Sequence, residues 1–139
     1  MAEQWKKWEP IQGLSEKYYV ESIVNIIGVF KVFLCDAQDQ NKKIVVIFEN
    51  SIDVYRSTQE NLRLSVLHTL KEQYGEHFYE TWTFFKITDS TYVQWLSDQS
   101  YKISDAMEFQ HFVLIGTNTI VDLINYHDPK VEFLNNDVS

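Results

Sequence analysis

Two apolar runs, Phe109–Ile115 and Thr119–Asn125, are separated by only three residues, Gly116-Thr117-Asn118. A loop that short, containing glycine, reverses the chain and pairs the runs as an antiparallel hairpin. The same pattern recurs upstream. Tyr18–Ile27 and Val29–Cys35 are rich in β-branched and aromatic residues and meet at Gly28. The polar stretch Asp36–Lys42 then turns the chain into Ile44–Phe48, an unbroken apolar run that reads as a central strand buried on both faces. Val20, Ser22, Val24 and Ile26 are expected on one face of the first strand, and Phe30, Val32 and Leu34 on one face of the second. Ser51–Arg56, Thr81–Ile87 and Val131–Leu134 are further strands, the last at an edge. Trp5–Gly13 is an irregular arm or a short strand.

The period changes once, after Arg56. Ser57-Thr58-Gln59-Glu60 fits a capping box, in which the serine oxygen accepts an early backbone N–H and the glutamate reaches back to the cap. Leu62, Val66, Leu67, Leu70 and Tyr74 follow at helical spacing, and Gly75 stands at a C-terminal cap position. Arg63, Lys71 and Glu72 are expected on the solvated side. Asp89 or Ser90 caps a second, short helix with Tyr92, Val93, Trp95 and Leu96 on one side. Hairpin-length connections dominate, with no regular βαβ alternation. The expectation is α+β: a mostly antiparallel, curved sheet of about six to eight strands, with one long and one short helix on one face.

The chain has 139 residues and only four Gly and two Pro, which suits a single domain without a linker. Residues 1–13 form the arm and 135–139 a polar tail. Aromatic residues make up 15% of the chain, enough to build a core without disulfide staples. Cys35 is the lone cysteine and reads as core filler in a reduced protein. The opening MAEQWKKWEP has no apolar stretch of the signal-peptide kind, and no run is long enough to span a bilayer. A soluble, cytoplasmic protein is the expectation.

Nucleophile and metal motifs are missing. There is no G-x-S-x-G, P-loop, G-x-G-x-x-G or H-E-x-x-H, and His68, His77, His111 and His127 show no metal-ligand spacing. No cofactor and no catalytic residue is implied. Two polar residues stand out as pocket candidates. His111 lies in an aromatic strand between Phe109 and Phe112, where a satisfied, half-buried histidine is the blander and weightier reading. Arg56 ends a strand and could clamp a carboxylate or phosphate, against the blander reading of an internal ion pair with Glu60.

Charge is the main functional hint. Residues 1–71 hold nine acids and nine bases, whereas residues 72–139 hold eleven acids and three lysines, so the second half carries the whole net charge of −8. Such a field attracts basic partners and disfavours nucleic acid. Glu72, Glu76, Glu80, Asp98, Asp105 and Glu108 recur between apolar segments, interleaved with Tyr79, Tyr92 and Tyr101. Carboxylates steer an encounter and aromatics anchor it, so these nine are the candidate partner-binding residues. A solvated acidic surface over an aromatic core is the equal alternative. Trp82 and Trp95 are assigned to the core.

Several short pieces of the chain carry a resemblance: Phe48, Tyr55-Arg56-Ser57-Thr58 with Glu60, Phe84-Phe85-Lys86 with Ser90 and Trp95, and His111-Phe112 followed by Val121-Asp122. Over residues 15–133 the chain resembles small acidic proteins of Gram-positive bacteria, some of which look like immunity proteins encoded beside polymorphic toxins. The resemblance implies an α+β fold and a binding function and supplies no catalytic residues. Many toxin domains are nucleases, which must be basic to hold RNA or DNA, and an acidic inhibitor suits them. The leading expectation is an immunity-type protein that binds a cognate basic toxin domain. The alternative is a small-ligand or regulatory module using Arg56 or His111. An enzyme comes third, and a pocket joining His111, Arg56 and an acid at hydrogen-bond range is the arrangement that would favour it. The oligomeric state, monomer or edge-strand dimer, stays open at this point.

Overall fold

Polar turns and apolar runs alternate along the chain much as hairpin grammar dictates. The computed structural model describes residues 3–49 and 54–134. In chain order, its strands are β1 (Gln4–Lys7), β2 (Tyr18–Ile26), β3 (Val29–Asp36), β4 (Lys43–Phe48), β5 (Tyr55–Gln59), β6 (Phe84–Thr88), β7 (Gln110–Ile115), β8 (Thr119–Asn125) and β9 (Lys130–Phe133). The helices are α1 (Leu64–Tyr74) and α2 (Thr91–Gln99), with short 3-10 segments at Glu60–Leu62 and Ile103–Met107. The fold is α+β with antiparallel pairing throughout, as the sequence predicts. Its strands divide between two open sheets, ordered β1-β6-β7-β8-β5 and β2-β3-β4-β9. The expected start of a strand at residues 51–53 and the tail 135–139 lie outside the described residues. Among the described residues, no helix is long and apolar enough to cross a membrane.

The five-stranded sheet is buried on both faces. Its inner face sends Phe84, Phe112, Leu114, Val121 and Leu123 against Phe30, Val32, Leu34, Ile44, Val46 and Phe48 of the other sheet. Its outer face sends Trp5, Phe85, Ile87, Val113, Ile115 and Ile120 against Leu67 and Leu70 of α1. Period-2 alternation on β7 and β8 therefore serves two cores at once, which is why both strands read as continuous apolar runs. Each such large side chain contributes about 1.5–3 kcal/mol relative to exposure.

Three tethers join these layers. The Lys17 ammonium donates to the carbonyls of Tyr79, Trp82 and Ile115 at 2.5, 2.8 and 2.5 Å. Burial pushes the Lys17 pKa down to about 8, against the raising effect of Glu60 and Glu80. The β7–β8 turn docks on β2: Thr117 N–H donates to the Tyr18 carbonyl, and the Asn118 amide both accepts from Val20 N–H and donates to Val20 C=O, each at 3.0 Å. Trp82 Nε1–H donates to the Trp8 carbonyl, and the Trp82 ring is only partly buried between the two cores.

Several local expectations fail. A β-bulge between Val20 and Ser22 shifts the register of β2, so Val20 and Ile23 face the core in place of the alternating set. The capping box does not form: Ser57, Thr58 and Gln59 are strand residues paired with Val121, Ile120 and Thr119, and α1 starts at Leu64 with no side-chain cap. Ladder bonds to β8 satisfy that backbone better than a local cap, and Leu62 is left 70% exposed. Arg63 is not solvated; its side chain is 14% exposed and bound to Asp122. Trp95, assigned to the core, is 52% exposed.

Candidate functional site

The outer face of the five-stranded sheet changes character where α1 gives way to α2. On that face β7 presents His111, two residues before Val113, and β8 presents Asp122, two residues after Ile120. Register makes them neighbours: Asp122 stands opposite Val113 on one side and Arg56 of β5 on the other, placing His111 on the diagonal. His111 Nε2 lies 2.7 Å from Asp122 Oδ1. Asp122 Oδ2 accepts from Arg56 Nε at 2.8 Å and from Arg63 Nη1 at 2.9 Å. On its other side His111 Nδ1 lies 2.7 Å from Ser90 Oγ, and that oxygen accepts from Val93 N–H as the N-terminal cap of α2. Tyr92 completes the cluster, with the Arg56 guanidinium 4.4 Å from its ring centroid and the His111 ring edge-on to it.

The protonation pattern follows from the donors. Burial alone would raise the Asp122 pKa, but hydrogen bonds from His111 and Arg56, and the charge of Arg56, hold the carboxyl far below the usual range. An ionised carboxylate only accepts, so His111 Nε2 carries the proton. In the neutral imidazole Nδ1 is then the acceptor, and the Ser90 hydroxyl donates to it across 2.7 Å. The array is one unbroken relay, Ser90 to His111 to Asp122, on a fully buried acid (Asp122, 0% exposed).

Above Ser90 and His111 opens a groove of about 700 Å³ between α2 and the ends of β6 and β7, with Lys86, Asp89, Gln94 and Gln110 on its walls. The chain reaches Ser90 through a sharp turn in which Asp89 has φ +54°. Tyr101 (+52°), Lys102 (+67°) and Glu108 (+52°) are also left-handed, so every non-glycine positive φ among the described residues falls between Asp89 and Glu108. Such conformations cost about 1–3 kcal/mol each and collect at functional sites. Among the described residues no group of three or more His, Cys, Asp or Glu is placed to hold a metal.

No family model, curated protein or solved structure matches this chain.

The structure sorts the sequence candidates into three groups. His111 and Arg56 do meet at an acid, Asp122, but Arg56 does not line the groove, and its ion-pair partner is Asp122 in place of the expected Glu60. His111 is fully buried, not half-buried, with both ring nitrogens bonded. Tyr92, expected as an anchor, belongs to this internal cluster. The second group lies around the C-terminal end of α1. Glu72 pairs with His68 at 2.6 Å, Glu80 pairs with Lys71 and His77, Tyr79 packs on the α1 core, and Glu76 is exposed. Asp98, Tyr101, Asp105 and Glu108 form the third group, exposed on α2 and the 3-10 segment that follows. None of these three acids is ion-paired among the described residues, and Trp95, Ile103 (72% exposed) and Met107 join them at the surface.

Sequence reasoning missed Asp122, Ser90 and Arg63 as parts of one site. A signal existed for the first. Asp122 is the sole charged residue of Thr119–Asn125, a run whose apolar pattern demands burial on both faces, and a buried carboxylate must be paired.

Proposed function

We propose that the protein is an immunity-type binding protein that neutralises a cognate basic toxin domain, and that α2 with the Ile103–Met107 segment forms its docking surface. One observation carries this reading: unpaired acids and exposed large apolar side chains share the same short segment. Residues 89–108 hold Asp89, Asp98, Asp105 and Glu108 against Lys102 alone, a local charge of 1 − 4 = −3. Trp95 and Tyr101 supply rigid aromatic area of the kind that anchors interfaces, and the acids around them supply steering. Near α1, Glu80 is ion-paired with Lys71 and Glu72 is held by His68, and among the described residues no exposed large apolar cluster accompanies Glu76, so the docking role narrows from nine candidate residues to Asp98, Tyr101, Asp105 and Glu108, joined by Trp95, Ile103 and Met107.

The test is protection plus kinetics. A basic toxin domain encoded beside this chain's gene is co-expressed with it, and survival is scored. The association rate of the purified pair is then followed from about 20 to about 200 mM salt, across which surface charges become screened. The rate is expected to fall about tenfold or more, and the triple variant Asp98→Asn, Asp105→Asn, Glu108→Gln to lower it at low salt. A rate flat with ionic strength, or unchanged by the triple variant, sinks the reading. A small-ligand module is the second reading, favoured by the groove alone, and its polar group would be His111.

A further inference from the structure

We propose that Ser90 is a nucleophile, activated by His111, that accepts an acyl group from a small ester bound in the groove beneath α2. This goes beyond partner binding and does not depend on it. Three independent features meet at one hydroxyl. The first is the relay: a serine oxygen 2.7 Å from an imidazole nitrogen whose other nitrogen lies 2.7 Å from a buried carboxylate. Attack on a carbonyl needs a base that accepts the hydroxyl proton and a partner that stabilises the resulting imidazolium. Here Nδ1 faces the serine and Nε2 the carboxylate, the reverse of the chymotrypsin arrangement. The chemistry requires only that one nitrogen accepts while the other donates, and Asp122 fixes which does which.

The second feature is the position of Ser90 in the chain. It stands at a strand–turn–helix junction, after β6 and a left-handed Asp89 and directly before α2. A strained turn of this kind lifts a side chain out of the sheet towards a ligand. The amides of the first turn are then shared out: Thr91 N–H donates to Glu3 at 2.8 Å and Val93 N–H to Ser90 Oγ at 3.0 Å.

The third feature is the groove. About 700 Å³ suits a small organic ligand, and Ser90 and His111 both line it. Its walls carry Thr88, Gln94, Asp105 and Gln110, which suits a polar acyl or alcohol portion. In the reaction, Ser90 Oγ bonds to the ester carbonyl carbon as its proton passes to His111 Nδ1. The carbon–oxygen bond to the alcohol breaks, and the departing oxygen takes that proton. Water then attacks the acyl-serine, giving its proton to His111. A carboxylic acid leaves and the Ser90 hydroxyl is restored, so ester and water become acid and alcohol.

The experiment uses the full-length folded protein and a biotinylated fluorophosphonate, which phosphonylates activated serines. Peptide mapping by mass spectrometry locates the adduct. The expected result is a stoichiometric adduct on Ser90, formed roughly 100-fold more slowly in His111→Asn, the scale of a lost general base. Circular dichroism verifies that the variant is folded, and mapping on the unaltered protein keeps the test decisive if it is not. No adduct on Ser90 after prolonged exposure to excess probe overturns the proposal. So does modification confined to Ser97, the other serine lining the groove, or a Ser90 rate that His111→Asn leaves unchanged.

Discussion

One sheet face is covered in two different ways. Beneath α1 the outer face of the five-stranded sheet is largely apolar, with Leu67 and Leu70 seated on Phe85, Ile87, Val113, Ile115 and Ile120. Beneath α2 the same strands present His111 and Asp122, and the helix is fastened by the Ser90 hydroxyl and the Tyr92 ring. The α1 side has its neighbouring acids Glu72 and Glu80 paired. The α2 side has unpaired acids, exposed Trp95 and Tyr101, and all the strained non-glycine residues among those described. Apolar packing is tolerant and non-directional, so it makes a good anchor. A buried polar network holds one geometry and is intolerant of partial satisfaction, so it makes a good site. Stability and specificity are thus divided between two helices on one sheet.

This contrast can be broken by substitution. The largest effect is expected from Asp122→Ala, which strands the buried His111 and the partly buried Arg63 side chains. Removing one partner of a buried pair costs about 3–5 kcal/mol. Leu70→Ala, on the apolar side, is expected to cost about 2–4 kcal/mol by leaving a cavity. Urea titration of both variants measures the difference. If Asp122→Ala costs less than Leu70→Ala, the polar network does not hold the α2 side as described.

Acid sharpens the same comparison. The folded-state pKa of Asp122 is depressed, so its contribution to stability is fully present above the unfolded carboxyl value of about 4 and is lost as pH falls below it. Stability is expected to drop by about 2 kcal/mol between pH 5 and pH 2 from this residue. Asp122→Asn should flatten that slope while Leu70→Ala leaves it intact. Asp36, whose carboxyl is lowered against its own desolvation by the Ser15 hydroxyl and the Gln38 amide, supplies part of the slope that remains. Thermal melts across that pH range decide the matter, and an unchanged slope in Asp122→Asn counts against the network.

The smallest effect concerns strain. Lys102 has φ +67°, a conformation that costs an L-residue about 1–2 kcal/mol and glycine little. Glycine loses about 0.5–1 kcal/mol in chain entropy, so Lys102→Gly should stabilise by about 0.5 kcal/mol. A destabilised variant would mean that the Lys102 side chain contributes more than its backbone costs.

Much of this architecture was legible from the chain, and the failures are instructive. The hairpin of β7 and β8 reads directly because its turn and its two apolar runs agree. The start of α1 does not read, because Ser57–Glu60 satisfies a local capping rule that the ladder to β8 overrides. In β2 a single bulge inverts the expected face, and no residue type announces it. The polar site is hidden for a different reason. Ser90, His111, Asp122, Arg56 and Arg63 are scattered over nearly seventy positions; the register of three strands brings Arg56, His111 and Asp122 together, and the residues that open the two helices, Arg63 and Ser90, join them from above.

The turn that docks on β2 has one more consequence. β2 is the outermost strand of its sheet, and outermost strands present peptide groups that a second copy of the chain can recruit. The Asn118 side chain meets Val20 as a neighbouring strand would, giving one donor and one acceptor to its peptide groups. A single amide therefore acts as a stopper at the inner end of that strand, and any stacking of copies along it must begin beyond Val20, where the bulge already turns the ladder aside.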